Sequence, residues 1–330
     1  MPLEAMCRDI TPPGLHYVLT HFDIPFIDTN SWHLRIGGAV ERALELSMAA
    51  LRKDPMISIP VTLECAGNGR SLLNPRPLSQ PWVLEGVGTA EWSGVPLAFL
   101  LAKAGVESDA VEVLFTGMDA GVQGGLRQKY ARSLPIAEAM RPDVVLAYSM
   151  NGSELPPQHG YPLRLVVPGW YGMTSVKWLE SIQVLTKPFQ GFQQAVAYRY
   201  QQDADDPGVP VSRIHVRSLM IPPGVPDFFS RRRILPHGPV LLRGRAWSGE
   251  GTVERVEVGI DGKWSDAQLE QPAGPFAWRA WSLLWAADAG EHELACRATD
   301  STGAVQPLDQ QWNYQGMANN QVQRVSVTVE

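Results

Sequence analysis

The segment 62–70, which reads Thr-Leu-Glu-Cys-Ala-Gly-Asn-Gly-Arg, carries a candidate metal ligand, Cys65. Small residues follow this cysteine, and Asn68 and the glycines adopt positive φ at little cost, so a large cofactor could lie against the backbone. Arg70 adds a fixed positive charge, which favours the thiolate form of a nearby cysteine. A thiolate is a soft ligand that suits a soft or redox-active metal. The alternative is a structural cysteine, because free cysteine commonly packs as a small hydrophobic residue.

The elements that must position this cysteine predict a mixed α+β domain with many loops. Residues 57–63 form a strand-like run that leads directly into the cysteine. A short helix is predicted over 97–104, since a proline precedes it and a glycine follows it. A strand over 111–115 is expected to deliver Asp119 into a glycine-rich loop, and a buried strand is predicted over 163–167.

The last third of the chain has a different pattern, which predicts a β-sandwich. Apolar residues alternate at Val256, Val258 and Ile260, and an Asp-Gly turn follows them. Short strands at regular spacing with turn residues between them are typical of sandwiches. The predicted fold class is therefore α+β, a mixed α+β domain followed by an all-β sandwich. The predicted boundaries are a first domain over 1–205, a proline-rich connector over 206–238 and a sandwich over 239–330.

Composition limits the possible functions and the compartment. A chain of 330 residues suggests about two domains, and 45% hydrophobic residues are enough for two cores. A net charge of −6 gives no electrostatic support for nucleic-acid binding, and no apolar run reaches the length of a membrane span. Three cysteines without a Cys-x-x-Cys pair suit a reducing compartment, and no Cys-x-x-Cys-His haem motif occurs. The missing motif predicts a protein without covalent haem. Because the first ten residues lack an apolar export signal, we expect a cytoplasmic protein.

Several motifs in one order resemble those of a known family. The Thr-Leu-Glu-Cys-Ala-Gly-Asn segment resembles the molybdenum-ligand segment of the sulfite oxidase family. Similar matches follow as Phe-Thr-Gly-Met-Asp at 115–119, His-Gly-Tyr-Pro-Leu-Arg at 159–164 and Ser-Val-Lys-Trp-Leu at 175–179. The resemblance extends over nearly the whole chain. It implies a molybdopterin-binding domain followed by an immunoglobulin-like dimerisation domain, as in haem-free bacterial members of the family.

The resemblance also implies roles for individual residues. Cys65 would bind molybdenum beside the dithiolene of the pyranopterin cofactor, and Arg164 and Lys177 would hold the phosphate tail of that cofactor. Other positions that match cofactor contacts are His21, Asp119, His159, Ser175 and Val176. The charged and polar residues have structural alternatives. Arg164 could pair with a core carboxylate, and Lys177 could only extend along the surface. His21 and His159 could be buried histidines with ordinary partners, and Asp119 could be a turn residue.

On the substrate side, the resemblance implies that Tyr198 is the active-site tyrosine and that Arg70 and Trp82 line the pocket. A phenol can donate a hydrogen bond to an anion or a metal-oxo group, and its reference pKa near 10 keeps it protonated at neutral pH. Tyr200 lies two residues further on and faces the same side if this segment is a strand. The sequence leaves open which of the two tyrosines faces the metal.

Two positions depart from the family pattern. The family carries Arg-Asn-His in its lead-in segment, whereas this chain has Leu19-Thr20-His21. Near the C-terminus, Gln315 stands where animal members carry a pocket arginine. Both changes remove a positive charge that a small oxyanion would use. The resemblance therefore implies an altered substrate preference with unchanged cofactor binding.

The predicted function is that of a cytoplasmic, homodimeric molybdenum oxidoreductase of the sulfite oxidase family. It would transfer an oxygen atom to sulfite or a related small substrate and pass electrons to an external acceptor, such as a cytochrome or another redox protein. Alternatives are a reductase of S-oxides or N-oxides with the same cofactor, or a cofactor-binding protein without activity. The sandwich is expected to form the dimer interface with tryptophans such as Trp247, Trp278 and Trp281, since aromatic residues favour interface centres.

Overall fold

The structure is a computed structural model that describes all 330 residues of the chain. Its four α-helices are short: α1 (Met48–Leu51), α2 (Leu97–Ala104), α3 (Ile136–Ala139) and α4 (Phe192–Ala195). The strands that precede residue 211 are β1 (Leu34–Gly38), β2 (Leu44–Leu46), β3 (Ile57–Glu64), β4 (Val87–Pro96), β5 (Glu112–Gln123), β6 (Leu126–Pro135), β7 (Val145–Met150), β8 (Ser153–Glu154), β9 (Arg164–Val166), β10 (Leu179–Leu185), β11 (Arg199–Tyr200) and β12 (Val209–Pro210). The later strands are β13 (Arg217–Met220), β14 (Val225–Pro226), β15 (Arg233–Leu235), β16 (Gly238–Trp247), β17 (Val253–Ile260), β18 (Lys263–Asp266), β19 (Gln268–Leu269), β20 (Arg279–Ala287), β21 (Gly290–Asp300) and β22 (Gln323–Val329). Four 3-10 helices complete the elements, at Leu3–Cys7, Arg70–Leu72, Pro157–His159 and Gly172–Thr174.

Two sheets build the first domain. One sheet has the order β2-β1-β10-β5-β6, and β1 and β10 run parallel in it. The other has the order β3-β4-β7-β8, with β9 paired to β7. The strand β3 leads into the turn that contains Cys65. The helix α2 begins at Leu97, directly after the last residue of β4, and packs against that strand. The helix closes at Gly105, whose φ of +74° suits a glycine C-cap. The predicted α+β class is confirmed.

Asp119 lies within a strand rather than in the expected glycine-rich loop. The strand β5 continues to Gln123, and its pairing with β6 is irregular between Thr116 and Ala120. A bulge of this kind re-aims side chains without ending the strand. The sequence signal was misleading because glycines next to an aspartate are typical of both loops and bulges.

The second domain is a sandwich of two sheets, in the orders β13-β16-β20-β19 and β14-β15-β22-β21-β17-β18. The strands β13, β14 and β15 come from residues that were predicted to form a connector. In the structure β13 pairs with β16 and β15 runs parallel to β22. Residues 217–235 therefore fold with the sandwich. Proline and charge obscured these strands because they are short and include an edge pairing, where proline is tolerated.

The hydrophobic core connects the two domains. The largest buried cluster contains Leu34 and Leu100 of the first domain together with Trp247 and Trp278 of the second. Trp281 lies in the separate core of the sandwich. All three tryptophans are at most 3% exposed in one chain, so the prediction that they form the dimer interface is wrong. They fill the domain junction and the sandwich core instead.

The longest helix, α2, has eight residues, and none of the helices has the length and apolar character needed to cross a bilayer.

Candidate active site

Cys65 lies in a turn that both domains hold in place. The strand β3 ends at Glu64, the Cys65 N–H donates to the Gly86 carbonyl at 2.8 Å, and the Cys65 carbonyl accepts from the Asn68 N–H at 2.9 Å. Gly69 then takes a φ of +91°, which turns the chain into a 3-10 helix. The cysteine is 7% exposed. Burial raises the pKa of its thiol, although the Gly67 N–H and Arg70 act in the opposite direction.

The second domain fixes this turn through Glu64, the residue that precedes the cysteine. An Arg217 N–H donates to Glu64 at 2.5 Å, and both side chains are 1% exposed. The indole N–H of Trp247 donates to the other carboxylate oxygen at 2.8 Å, and Asn68 contributes a third hydrogen bond. Because breaking a buried ion pair leaves an uncompensated charge, these contacts hold the cysteine turn firmly against the sandwich.

One side of Cys65 opens into a cavity with about 710 Å³ of empty space, which we call the basic cavity. Its lining includes His16, Tyr17, Leu19, His21, Cys65, Asp119, Tyr130, His159, Arg164, Met173, Ser175, Lys177 and Tyr198. Many of the predicted cofactor contacts therefore meet around one space. Val176 is the exception among them, because its side chain is 1% exposed in the hydrophobic core and does not line the cavity.

The two cations of the basic cavity have no carboxylate partner within ion-pair distance. Arg164 is 5% exposed and donates to the carbonyls of His159 and Ser175 at 3.0 and 3.2 Å. Lys177 donates to the carbonyls of Leu19 and Gln158, each at 2.9 Å. A buried cation such as Arg164 normally pairs with an anion, and Lys177 beside it is half-buried, so this cavity is suited to accept negative charge.

Burial shifts the pKa values of the groups around this cavity in the direction that favours the neutral form of each group. It lowers the pKa of Lys177 to about 7, with Arg164 acting in the same direction, and lowers the pKa of His159 to about 4. Burial raises the pKa of Asp119 to about 6, although Lys177 opposes this shift. An anion bound between Lys177 and Arg164 would reverse the shift of the lysine, because an opposite charge favours the charged form.

The other side of Cys65 opens into a larger cavity with about 1650 Å³ of empty space, which we call the apolar cavity. Its lining includes Leu19, His21, Cys65, Arg70, Leu78, Gln80, Trp82, Val122, Gln123, Val196, Tyr198, Tyr314, Gln315 and Met317. Exposed apolar side chains stand at its rim, including Leu78 at 103% and Val122 at 69% exposure. Cys65, Tyr198, His21 and Leu19 line both cavities and so form the boundary between them.

Arg70 provides the single formal charge among the residues that line the apolar cavity. Its guanidinium donates to the carbonyls of Gln315 and Gln80 at 2.9 and 3.1 Å, and to the Met317 sulfur at 3.4 Å. Leu19 adds an apolar wall where the family pattern has arginine. The side chain of Gln315 is bonded to the Val196 carbonyl at 3.0 Å and so adds no charge.

The two candidate tyrosines occupy different places. Tyr198 is 9% exposed and lines both cavities, and burial raises its pKa to about 12, so its hydroxyl stays protonated. Its φ of +54° is rare for a residue with a side chain and aims the ring into the site. Tyr200 stacks on His215 with ring centroids 5.8 Å apart and lines neither cavity. The sequence could not separate them because the backbone turns sharply at Tyr198.

Three residues at or next to the cavity walls were not predicted from the sequence. Tyr130 lines the basic cavity and donates to the Met173 carbonyl at 2.7 Å. Gln123 and Gln193 contact each other and His21. A signal for Tyr130 was present, because period-two alternation along β6 places Gln128, Tyr130 and Arg132 on one face. No sequence signal brings Gln193 to the site, since tertiary folding alone joins α4 to the end of β5.

The residues fit the implied molybdenum cofactor. No group of three or more histidine, cysteine or carboxylate side chains is placed to hold a metal ion. Cys65 supplies one thiolate donor, the type that suits molybdenum. The unpaired cations Arg164 and Lys177 supply donors for a phosphate. Both cations line the same cavity as Cys65, so one ligand could reach all three side chains.

Comparisons with known proteins agree with this organisation. Residues 21–193 match the family described as "Oxidoreductase molybdopterin binding domain", and residues 210–330 match "Mo-co oxidoreductase dimerisation domain". Sulfite oxidase of Gallus gallus is 34% identical over 344 residues, which cover 96% of this chain and 72% of that protein. NADH nitrate reductase of Solanum lycopersicum is 35% identical over 356 residues, with 97% of this chain and 38% of that protein covered.

The chain is thus shorter than several of its relatives. It spans 38% of the tomato nitrate reductase and 62% of the mitochondrial sulfite oxidase of Rattus norvegicus, to which it is 34% identical. Among solved structures, the sulfane dehydrogenase SoxCD of Paracoccus pantotrophus superimposes with a TM-score of 0.86 at 29% identity. That match covers 100% of this chain and 85% of the other.

Proposed function

The chain belongs to the sulfite oxidase family of molybdopterin-dependent oxidoreductases, and we propose that it transfers an oxygen atom to a small sulfur substrate at the boundary between its two cavities. Sulfite is the reference substrate because the chain belongs to the sulfite oxidase family. Oxidation of sulfite with water gives sulfate, two protons and two electrons. The electrons pass to an external acceptor, such as a cytochrome or another redox protein.

The residues around Cys65 have separate roles in this proposal. When bound, the molybdenum cofactor supplies the oxygen-atom transfer and the two-electron redox chemistry. Cys65 would ligate the metal, while Arg164 and Lys177 would bind the phosphate and Asp119, His159 and Ser175 would contact the rest of the cofactor. On the substrate side, Tyr198 would donate a hydrogen bond, Arg70 would offer its remaining N–H groups and Trp82 would form a wall.

The observation that carries the proposal is the place of Cys65 between a basic and an apolar cavity. A cofactor anchored by its phosphate on the basic side would present its metal at the cysteine. A substrate that enters through the apolar cavity would reach the metal from the solvent side. One thiolate therefore serves as the meeting point of both ligands.

Metal analysis and steady-state kinetics test this function. We expect about one molybdenum per chain and turnover of sulfite with ferricyanide as acceptor. Tyr198→Phe is expected to lower kcat by about a hundredfold, as is typical of the loss of a positioned proton donor. Tyr200→Phe is the matched control and should leave kcat unchanged. Purified protein that binds molybdenum and turns over neither sulfite nor any sulfoxide would reject the proposal.

A second candidate function is the reduction of S-oxides or N-oxides, and the lining of the apolar cavity favours it. Only Arg70 carries a charge there, so few groups can compensate an anion for its lost hydration. A neutral oxide loses less hydration free energy than an oxyanion when it enters this cavity. Reduced viologen as electron donor, with a series of sulfoxides and amine oxides, tests this direction. A kcat/KM for any oxide above that for sulfite would favour the reductase.

We further propose that the chain forms a homodimer through the sandwich. The matched description of residues 210–330 as a dimerisation domain supports this assembly. Leu241 and Leu284 are register partners on neighbouring strands, and they are 48% and 68% exposed. An exposed apolar pair on a sheet is suited to a protein interface. Sedimentation velocity should give a dimer for the native protein and a monomer for Leu284→Glu.

The cytoplasm is the proposed compartment, because Cys7, Cys65 and Cys296 are all free. Fractionation of the source cells, followed by immunodetection, would test this proposal. Recovery in an exported fraction would contradict it.

A further inference from the structure

Both ring nitrogens of His21 are engaged by protein partners. The Nε2 atom lies 2.5 Å from Gln123 Oε1, and the Nδ1 atom lies 3.4 Å from Tyr198 Oη. The imidazole thus bridges the end of β5 and the candidate active-site tyrosine. A histidine whose two nitrogens are both occupied has no nitrogen left for a cofactor or a metal.

A second glutamine fixes the direction of these hydrogen bonds. Gln193 is 1% exposed on α4, and its Nε2 donates to Gln123 Oε1 at 2.8 Å. The Gln123 oxygen therefore acts as an acceptor. Gln193 Nε2 also lies 3.4 Å from His21 Nε2, but the contact of His21 Nε2 with the Gln123 oxygen is shorter, at 2.5 Å, and so assigns the histidine proton to Nε2. The Nδ1 atom then holds a lone pair and accepts from the Tyr198 hydroxyl. The tautomer of a histidine is commonly set in this way by the partner on its other nitrogen.

The surroundings of Gln193 and Tyr198 keep both ends of this chain of hydrogen bonds in place. Arg132 is 1% exposed, donates to the Gln193 carbonyl and lies with its Cζ 5.7 Å from the centre of the Tyr198 ring. A cation over an aromatic face is attracted to it, which restricts the movement of the ring. Gln123 is held in turn, because its carbonyl accepts from Gln128 at 3.1 Å.

We propose that His21 is a positioning residue for Tyr198, held in the Nε2–H tautomer by Gln123 and Gln193, and that it is not a cofactor contact. The inference rests on the proposed function only in that Tyr198 meets the substrate. In this arrangement His21 accepts the phenol hydrogen while substrate is absent, and a bound substrate that accepts this hydrogen would take the place of His21. Gln123 and Gln193 thereby determine where the tyrosine hydroxyl points.

¹⁵N NMR of histidine-labelled, molybdenum-loaded protein without substrate tests the tautomer directly. The signal of His21 is identified by its loss in His21→Phe. We expect a protonated Nε2 and an unprotonated Nδ1 in the native protein. Gln123→Leu and Gln193→Leu should abolish this preference, and Gln123→Glu should preserve it because a carboxylate also accepts from Nε2–H. Gln194→Leu, on the same helix, is the matched control and should leave the tautomer unchanged.

Kinetics and metal content provide the second measurement. Gln123→Leu should lower kcat about tenfold, as expected for one lost orienting hydrogen bond, with KM within about twofold and molybdenum content unchanged. In a Tyr198→Phe background the same substitution should have no further effect on kcat. A protonated Nδ1 in the native protein, or loss of molybdenum from Gln123→Leu or His21→Phe, would overturn the inference. The tautomer needs no turnover to be read, so a failure of the proposed activity leaves this test intact and separate.

Discussion

The basic and apolar cavities share a wall at Cys65 and differ in the number of cations that line them and in the partners of those cations. In the basic cavity, Arg164 is buried and Lys177 is half-buried, and both donate to carbonyls rather than to a carboxylate, an arrangement that disfavours the folded state without a bound anion. In the apolar cavity, the one cation, Arg70, already donates to two carbonyls and a sulfur. From this difference we expect the basic cavity to retain the cofactor mainly by electrostatics, and the apolar cavity to select the substrate mainly by shape and by a few hydrogen bonds.

The largest effect should come from removing the residue that joins the two cavities. Cys65→Ser replaces a soft thiolate with a hard, protonated hydroxyl. We expect activity to fall by more than about a hundredfold, since even outer-sphere changes at metal sites cost tens of fold. Molybdenum analysis, turnover assays and thermal unfolding measure the change. Cys7→Ser, at an exposed free cysteine, is the control. Full activity in Cys65→Ser would exclude the cysteine as a ligand.

Breaking the basic cavity should release the cofactor. Lys177→Met removes a charge-assisted hydrogen bond to the phosphate, which is worth about 1.5–3 kcal/mol and corresponds to roughly 10- to 150-fold in affinity. Arg164→Met should behave similarly. Molybdenum content after dialysis provides the measurement. Lys129→Met serves as the control, because Lys129 is exposed and pairs with Glu180. Undiminished molybdenum in both variants would contradict the assignment of this cavity.

Adding charge to the apolar cavity should sharpen its preference. Leu19→Arg introduces a cation where the family pattern has one, and we expect the KM for sulfite to fall about tenfold or more. Steady-state kinetics with sulfite on the native protein and on Leu19→Arg measure this effect, with Leu19→Met as a control of similar size. A micromolar KM for sulfite in the native protein would show that the existing cavity already provides the charge.

The smallest effect concerns stability and pH. The pKa of Lys177 is about 7 in the folded protein and near 10.5 when unfolded, so between these values the unfolded chain binds more protons. The free energy of unfolding of cofactor-free protein should therefore rise with pH in this window, by at most about 1.4 kcal/mol per pH unit. Denaturant titrations at several pH values give the free energy of unfolding of the native protein and of Lys177→Met. Plotted against pH between 7 and 10, this free energy should rise more steeply for the native protein than for the variant. Identical slopes would mean that the lysine is not neutral near pH 7 in the folded state.

Local patterns in the sequence were sufficient to predict many elements. The strand β3 and the helix α2 appear where apolar runs, a leading proline and a closing glycine indicated them. The fold class was predictable because a mixed pattern gives way to short alternating strands. Residues 217–235 were misassigned as a connector because their strands are formed only by pairing with β16 and β22, which lie elsewhere in the chain.

The sequence by itself determined which chemical groups the site contains: one cysteine in a turn, three cations, and no arginine at Leu19 or Gln315. Motif order and side-chain chemistry carry this information, and neither depends on the path of the chain. Tertiary structure alone decided that Tyr198 and not Tyr200 faces the site, because that choice rests on a single residue with positive φ. It also decided that Gln193 and Gln123 meet at His21, because contacts between residues 70 positions apart have no local signature.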